Sequence, residues 1–444
     1  MNKVSNTVET VARENLCVSC GICSVVCPKK CIQYQYESAH GMYKPVIDWE
    51  TCIGCGACYG ICPGRGMDYP KQYGESDTEK KTDYFTGLIL KGLRCVVKDK
   101  EQLLNSSSGG FVTAAIKALL ENGSYHAAFL VDTDQFDSWV QTKRYTADDD
   151  LMKTSKSRYI PVSQKNTVEY MIAHPQERLI LVGTGCFVHA VLKIIEKYHL
   201  QREQYLIIGL FCNYTLNYKV YEYFKKHSGL DQEMDGMFFR KKELRQDKYV
   251  DRVVLKDKAG QEVSMPRSER REVVEMFTSE SCLYCLDKLN QFADISVGDD
   301  YTKEGMKAEA GCSSVLIRTK QGQDAWTKVS ELFDFCEVDV DEIIASQGIE
   351  QRKQRLQYAY LKKSEALVSS LEPKPISYED RKSYREKLKK QAIGNSGDYS
   401  RIRAEVQRVR KKKNSRLTQI KFSIKNKVKG LLKRMKKIIR GNES

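Results

Sequence analysis

No stretch of eighteen apolar residues occurs in the chain, so no segment able to span a bilayer as a helix is expected. The opening MNKVSNTVETVARENLC lacks the apolar core of a secretory signal, which makes the expected compartment cytoplasmic. Histidine is scarce and scattered, six in 444 residues, and no nucleophile–histidine–acid triad can be assigned. No catalytic residue is therefore named from sequence. Charge of one sign is also missing from most of the chain. The formal net charge of +15 belongs entirely to residues 401–444, which hold 17 Lys/Arg against 2 Asp/Glu. The other 400 residues balance 56 of each sign, so the positive excess is a property of a tail and not of the folded body. The length suffices for two or three domains, each with its own core.

Cysteine is what the chain has in quantity. Sixteen of them in a reducing compartment read as metal ligands rather than disulfides. Residues 17–28 are CVSCGICSVVCP and residues 52–63 are CIGCGACYGICP. Both follow C-x2-C-x2-C-x3-C-P, the spacing of a bacterial two-cluster ferredoxin. Three cysteines at i, i+3 and i+6 wrap one cubane; the fourth cannot bend back and crosses to the other. One 4Fe–4S cluster is thus expected on Cys17, Cys20, Cys23 and Cys62, the second on Cys52, Cys55, Cys58 and Cys27. Gly21, Gly54 and Gly56 let backbone N–H groups face the sulfurs, and Pro28 and Pro63 stop a short helix after each fourth cysteine. Zinc is the alternative for C-x2-C pairs. Cys31 reads as a small buried thiol. Two clusters without a substrate pocket make an electron wire and not a catalyst, so the wire's partner is expected elsewhere in the chain.

Past Pro70 a polar, charged stretch reads as a linker, and from about residue 84 the pattern becomes α/β. FVTAAIKALLENG (111–123), FVHAVLKIIEKYHL (187–200) and a segment at about 217–228 have helical spacing. YHAAFLVD (125–132), RLILVGTGC (178–186), QYLIIGLFCN (204–213), ADISVGDD (293–300) and SSVLIRTK (313–320) read as strands. The expected fold is α/β, a mixed, mostly parallel sheet with helices, preceded by a small α+β ferredoxin-like domain and followed by a helical basic tail. The expected boundaries are 1–70, 84–350 (divided at about 175/176), 351–400 and 401–444.

Cys186 and Cys212 fall where buried strands end, and Cys282 and Cys285 lie on a loop before another strand. Their convergence into a third 4Fe–4S site is expected; four unrelated buried thiols or a zinc pair are the alternatives. Cys95, Cys312 and Cys336 read as packing residues. The loop SSSGGFVT (106–113) opens a helix and suits a phosphate, although a flexible loop has the same composition. Lys156, Ser157 and Arg158 reach a second phosphate or a carboxylate, or else form a solvated charge run.

The motifs SSGGF, KSRYI, VGTGC, GLFC and CLYCLD…ADISVGD, in that order over about residues 84–350, resemble the family formed by the beta subunits of coenzyme F420 hydrogenases and dehydrogenases. Behind a two-cluster ferredoxin they resemble stand-alone bacterial members often encoded with polysaccharide-synthesis enzymes. The resemblance implies an iron–sulfur flavoprotein oxidoreductase that binds FAD beside a 4Fe–4S cluster and passes electrons between a ferredoxin-like donor and a substrate, or else an electron-delivery subunit serving a partner enzyme. It implies that Ser107, Ser108, Gly109, Gly110, Lys156, Ser157 and Arg158 lie near the flavin, with Thr184 and Asp299 at strand ends as further site residues. Where the family usually has Gly-Thr-Pro-Cys this chain has Gly183-Thr184-Gly185-Cys186, which predicts a looser loop.

In the tail, Ile420, Ile424, Val428, Leu431, Met435 and Ile438 recur every three or four residues among lysines and arginines. This pattern suits an amphipathic helix on an anionic membrane surface, which would hold the protein at the inner face of the membrane. A partner-binding helix is the alternative. Nucleic acid is disfavoured because stacking aromatics are scarce there.

Overall fold

The computed structural model describes residues 6–66, 85–132, 139–230, 233–246, 248–362 and 375–415. The expected linker after Pro70 and the apolar stripe from Ile420 to Ile438, with its membrane and partner readings, lie outside the described residues. In the first segment each cysteine loop doubles back through left-handed glycines before a short helix. Gly21 and Gly56, at φ +78° and +70°, precede the helices Ile22–Val25 and Ala57–Gly60. An antiparallel hairpin, β1 (Ile32–Glu37) and β2 (Met42–Ile47), separates the loops. Pro63 starts a single 3-10 turn, where its missing N–H leaves no partner stranded.

From residue 85 onward strands and helices alternate. In chain order the strands are β3 (Lys91–Val97), β4 (Ala127–Leu130), β5 (Lys143–Tyr145), β6 (Leu179–Gly183), β7 (Tyr205–Leu210), β8 (Met234–Arg245), β9 (Lys248–Asp257), β10 (Glu262–Pro266), β11 (Ile295–Asp299), β12 (Ser313–Ile317) and β13 (Phe333–Glu337). Among the described residues eight of them form one mixed sheet in the order β13-β3-β12-β11-β7-β6-β4-β5. Its parallel part is the central block β4, β6, β7 and β11. Antiparallel strands flank that block on both sides. The central strands are buried nearly end to end, as a sheet covered on both faces requires. Strands β8, β9 and β10 form a separate antiparallel unit. Its sequence, MFFRKKELR in β8, mixes charge with apolar residues and carries no clean alternation.

The cysteine-rich segment and the sheet share one core. Val8, Val11, Leu16 and Ile22 pack in the same buried cluster as Val188, Val191 and Ile194 of the helix Gly185–Tyr198. Burying each such side chain contributes about 1.5–3 kcal/mol. Polar ties fix the seam: Gln164 N–H donates to Cys20 O at 2.8 Å, Trp139 Nε1 to Ser19 O at 3.1 Å, and Lys193 Nζ to Cys62 O at 3.3 Å.

Beyond the sheet the helices Ile349–Lys362 and Tyr378–Asn395 lie against the body. Tyr384 Oη meets Tyr284 Oη at 2.9 Å, and a Cβ on Gly394 would stand 2.1 Å from Met276 O. A further helix over 399–415 is clasped by ion pairs. Arg410 holds Glu269 and Glu272 at 2.6 Å each, and His227 Nε2 lies 3.1 Å from Glu269. The hydrogen bond from His227, with Arg410 acting against the cost of burial, holds the Glu269 carboxyl down at about 2. A depressed carboxyl stabilises the fold above its ordinary pKa, and the contribution is lost as pH falls through the folded value. Glu269→Gln is expected to lower stability at neutral pH by roughly 1–3 kcal/mol in urea unfolding. The gap from wild type should close as pH falls from about 4.5 towards about 2; a gap that persists undiminished refutes the assignment.

Candidate functional site

In the N-terminal segment the two cysteine runs interleave. Cys62, from the second run, lies within electrostatic reach of Cys17, Cys20 and Cys23. Cys27, from the first run, lines one pocket with Cys52, Cys55 and Cys58. Burial, with Cys62 close by, pushes the Cys17 thiol up to about 12, and burial likewise raises Cys20, Cys23 and Cys62. Tyr34 Oη lies 3.0 Å from Cys23 Sγ, and its ring stacks on Trp139 at 4.5 Å. Cys55 is exposed, so this second group faces solvent while the first is enclosed. Cys31 is buried as expected, with its sulfur 3.3 Å from Cys27 Sγ, and it lines the same pocket.

The four later cysteines also converge. Cys186 opens a helix after β6, Cys212 follows β7, and Cys282 and Cys285 sit on and just after the 3-10 turn Glu280–Leu283. Cys212 is raised by burial and by the charges of Cys282, Cys186 and Cys285. Burial pushes Cys186 up to about 12. Thr215 N–H donates to Cys282 Sγ at 3.3 Å, and Thr184 Oγ1 lies 3.2 Å from Cys186 Sγ. Among the described residues no three His, Cys, Asp or Glu side chains close around a single metal ion. Quartets made of sulfur alone, with no histidine or carboxylate among the expected ligands, are a donor set that fits 4Fe–4S chemistry.

Gly185 does not loosen its loop as expected. A Cβ there would stand 2.6 Å from Asp287 Oδ2, the oxygen that bonds His189 Nε2 at 3.0 Å. Asp287 is fully buried beside Cys285, and its other oxygen accepts from Gln291 N–H at 3.1 Å. Glycine leaves the space that this carboxylate fills.

The serine loop forms a third focus. Ser157 N–H donates to Ser107 Oγ at 2.8 Å, joining the two predicted segments. Lys156 Nζ donates to Asn105 O at 2.9 Å and also to Asn105 Oδ1, and its φ of +77° is unusual for a residue with a Cβ. Asp299 accepts from Arg240 at 2.8 and 2.9 Å and from Tyr301 Oη at 3.0 Å. Burial favours its neutral form, yet Arg240, Tyr301 and Ser108 hold its carboxyl below the ordinary range. Arg158 ties elements together instead of reaching outward, donating to Asp132 O at 2.6 Å and Met237 O at 3.3 Å. Gly109 is a packing glycine: its N–H donates to Ser313 Oγ at 3.0 Å, and a Cβ would meet Cys95 O at 2.3 Å. Gly110, at φ +82°, turns the chain into the helix Phe111–Glu121. Thr184 belongs with the cysteines, not with this loop.

Sequence reasoning missed the strand β8 side of the site. Lys242 Nζ donates to Leu103 O and Ser108 O at 2.7 Å each. Burial pulls Lys156 and Lys242 down to about 8 each, Lys156 with help from neighbouring Lys241. The run Arg240-Lys241-Lys242 was the available signal, but nothing local says which surface it covers. Cys95 and Cys312 are buried as expected, whereas Cys336 is exposed on the edge strand β13. Gly185→Ala is expected to cost roughly 1–3 kcal/mol by displacing Asp287. Urea unfolding measures this, and an unchanged midpoint would show that the carboxylate moves aside freely.

Residues 93–168 and 176–341 match the two family models that describe the N-terminal and C-terminal parts of the coenzyme F420 hydrogenase/dehydrogenase beta chain. Residues 16–65 match the 4Fe–4S dicluster domain. The chain is similar to the coenzyme F420-dependent sulfite reductase of Methanocaldococcus jannaschii, 25% identical over 342 residues, which are 71% of this chain and 46% of that protein. It thus spans less than half the length of that relative. It is also similar to one of the subunits of the F420H2 dehydrogenase of Methanosarcina mazei, 24% identical over 348 residues, 74% of this chain and 87% of that one. A chain in a structure of the F420-reducing NiFe hydrogenase complex from Methanosarcina barkeri is 20% identical, with a TM-score of 0.47, over 63% of this chain and 94% of that one. With two matched models of one family behind a 4Fe–4S dicluster domain, the chain belongs to the family of coenzyme F420 hydrogenase/dehydrogenase beta subunits, a family of oxidoreductases.

Proposed function

We propose that this protein is an iron–sulfur redox subunit that carries electrons between a partner protein and a flavin-class group held at the serine loop. The observation that carries the reading is the seam that fixes Cys20 beside the sheet, where Gln164 N–H donates to Cys20 O at 2.8 Å and Cys20 and Cys186 fall within electrostatic reach of each other. Cys58 and Cys62 stand in the same relation between the two N-terminal groups. The three quartets therefore form a row from exposed Cys55 to the sheet edge. Assigned as 4Fe–4S ligands, they are Cys27, Cys52, Cys55 and Cys58; then Cys17, Cys20, Cys23 and Cys62; then Cys186, Cys212, Cys282 and Cys285.

Beyond Cys212 comes Tyr214, whose ring lies 6.0 Å from that of Tyr159; Arg270 lies over the Tyr159 ring at 4.3 Å and donates to Tyr214 Oη at 3.1 Å. The serine loop then supplies what an anionic dinucleotide needs. Lys156 and Lys242 present ammonium groups whose bonding partners are carbonyl oxygens; beside them the Ser107 hydroxyl accepts from Ser157 N–H at 2.8 Å and the Ser108 hydroxyl donates to Cys312 O at 2.6 Å. Bound there, FAD would exchange single electrons with the cubanes and hydride with an organic carrier such as a deazaflavin. The residues' own tasks are to neutralise the anion and, through the overlying β8 strand, to keep water from the site. Relatives of this chain include subunits of a dehydrogenase and a hydrogenase, which favours electron delivery to a partner enzyme over a substrate of this chain's own. Neither the site nor the relatives carry a role in polysaccharide synthesis. Attachment to an anionic membrane through 401–444 rests on sequence alone; no helix among the described residues is long and apolar enough to cross a membrane.

Protein purified without oxygen should contain about twelve irons per chain, with matching sulfide and bound flavin. Serine at both Cys282 and Cys285 should remove about four of those irons. Lys156→Ala should lower bound flavin and leave iron unchanged. Iron unaltered by the double serine variant rejects the third cluster, and a flavin-free wild type rejects the serine-loop assignment.

A further inference from the structure

Two arginines on one helix grip the third cysteine quartet from outside the family-matched region. The helix Ile349–Lys362 begins beyond residue 341, where the match to the second of the two family models stops. Arg352, 3% exposed, donates through Nη1 to Cys285 O at 3.2 Å and Asn213 O at 3.4 Å, and through Nη2 to Cys212 O. Arg355, one turn later, donates to Cys282 O and, at 3.0 Å, to Asn213 O. The main-chain carbonyls of three of the four cysteines are thus held by one element. Among the described residues neither guanidinium has a carboxylate partner. Lys288 lies alongside, buried and bonded to Gln347 O, and its own carbonyl accepts from Cys212 N–H at 2.9 Å.

Unpaired cations are costly in so dry a place unless something negative offsets them. What stands beside both guanidiniums is the sulfur quartet: their hydrogen bonds end on the carbonyls of Cys212, Cys282 and Cys285, the residues whose thiolates would hold the cluster. Resting on the proposed third cluster, we infer that Arg352 and Arg355 set its reduction potential, holding it higher than the same four thiolates would give alone. The physics is simple. A cluster gains one negative charge when it accepts an electron. Fixed positive charges beside it, little screened by water, favour that reduced state. Hydrogen bonding to the ligand carbonyls pins the loops so that the charges stay at constant distance, the outer-shell role that tunes metal sites generally. A higher potential at the sheet-edge cluster draws electrons from the enclosed N-terminal quartet towards the serine loop.

The test is a redox titration of the intact anaerobic protein followed by electron paramagnetic resonance, with iron counted on each sample. The signal that disappears in the Cys282/Cys285 serine variant identifies the third cluster, and the other two serve as internal references. Arg352→Gln and Arg355→Gln should each keep about twelve irons and move that one midpoint to lower potential, the double variant further than either. Arg352→Lys, which retains charge but not the fork, should restore most of the shift. A retained cluster whose midpoint matches wild type overturns the inference. So does loss of about four irons from both single variants, which would leave the arginines a purely structural grip. A wild type with about eight irons instead removes the third cluster itself, a separate failure from that of the tuning.

Discussion

Thiolates repel one another, and the repulsion grows as water is withdrawn. This chain crowds its cysteines into an interior where both conditions hold. In the enclosed N-terminal quartet and in the sheet-edge quartet, burial is the leading reason that Cys17, Cys20, Cys186 and Cys212 stand above the ordinary thiol range, and neighbouring cysteines add to it. Such an arrangement is stable with all its sulfurs ionised only around a cationic inorganic core. The same dryness that penalises bare thiolates strengthens every interaction with a metal or a fixed cation. The packing of the N-terminal segment, the course of the loops after β6 and β7 and the grip of the Ile349–Lys362 helix all serve to keep those sulfurs together.

That crowding depends on the shared core. Val8, Val11, Leu16 and Ile22 bury themselves against Val188, Val191 and Ile194, so the cysteine-rich segment cannot sit at a variable distance from the sheet. A tethered electron carrier would need to collide with its acceptor. Here Cys20 and Cys186 are held in register by apolar burial and by the bonds from Gln164, Trp139 and Lys193. The C-terminal helices extend the same logic, with Tyr358 and Tyr384 buried in that same core. Gly394 lets one of them touch the backbone of the Arg267–Phe277 helix, whose Arg270 reaches Tyr159 and Tyr214 beside the serine loop.

Some of the site was plain in the residues and some was hidden by them. The crosswise exchange of Cys27 and Cys62 follows from the geometry of a tight three-cysteine loop. The central strands were legible because a strand buried on both faces is a continuous apolar run. Gly109 was legible as important but not in its role, since a glycine required by a backbone 2.3 Å away looks in sequence like one that cradles phosphate. Gly185 misled for the same reason: its want of a side chain reads as freedom, whereas Asp287, about a hundred positions later, occupies the space. Lys242 and Arg240 lay in a charge run whose composition suits an exposed surface as well as a lining.

The sequence by itself determined the chemistry: two ferredoxin-type cysteine runs, a pattern of buried parallel strands, and four more cysteines where a ligand site was to be expected. Those are local facts, set by spacings of a few residues along a chain whose bond lengths and torsions are fixed. Only tertiary structure decided that the quartets stand in one row, that β8 closes over the serine loop, and that Arg352 and Arg355 face the last quartet. Each of those joins positions from tens to hundreds of residues apart. Which of many possible long-range pairings forms is settled by the whole core at once, through the burial of apolar surface summed over all the elements, and no short stretch of chain records that sum.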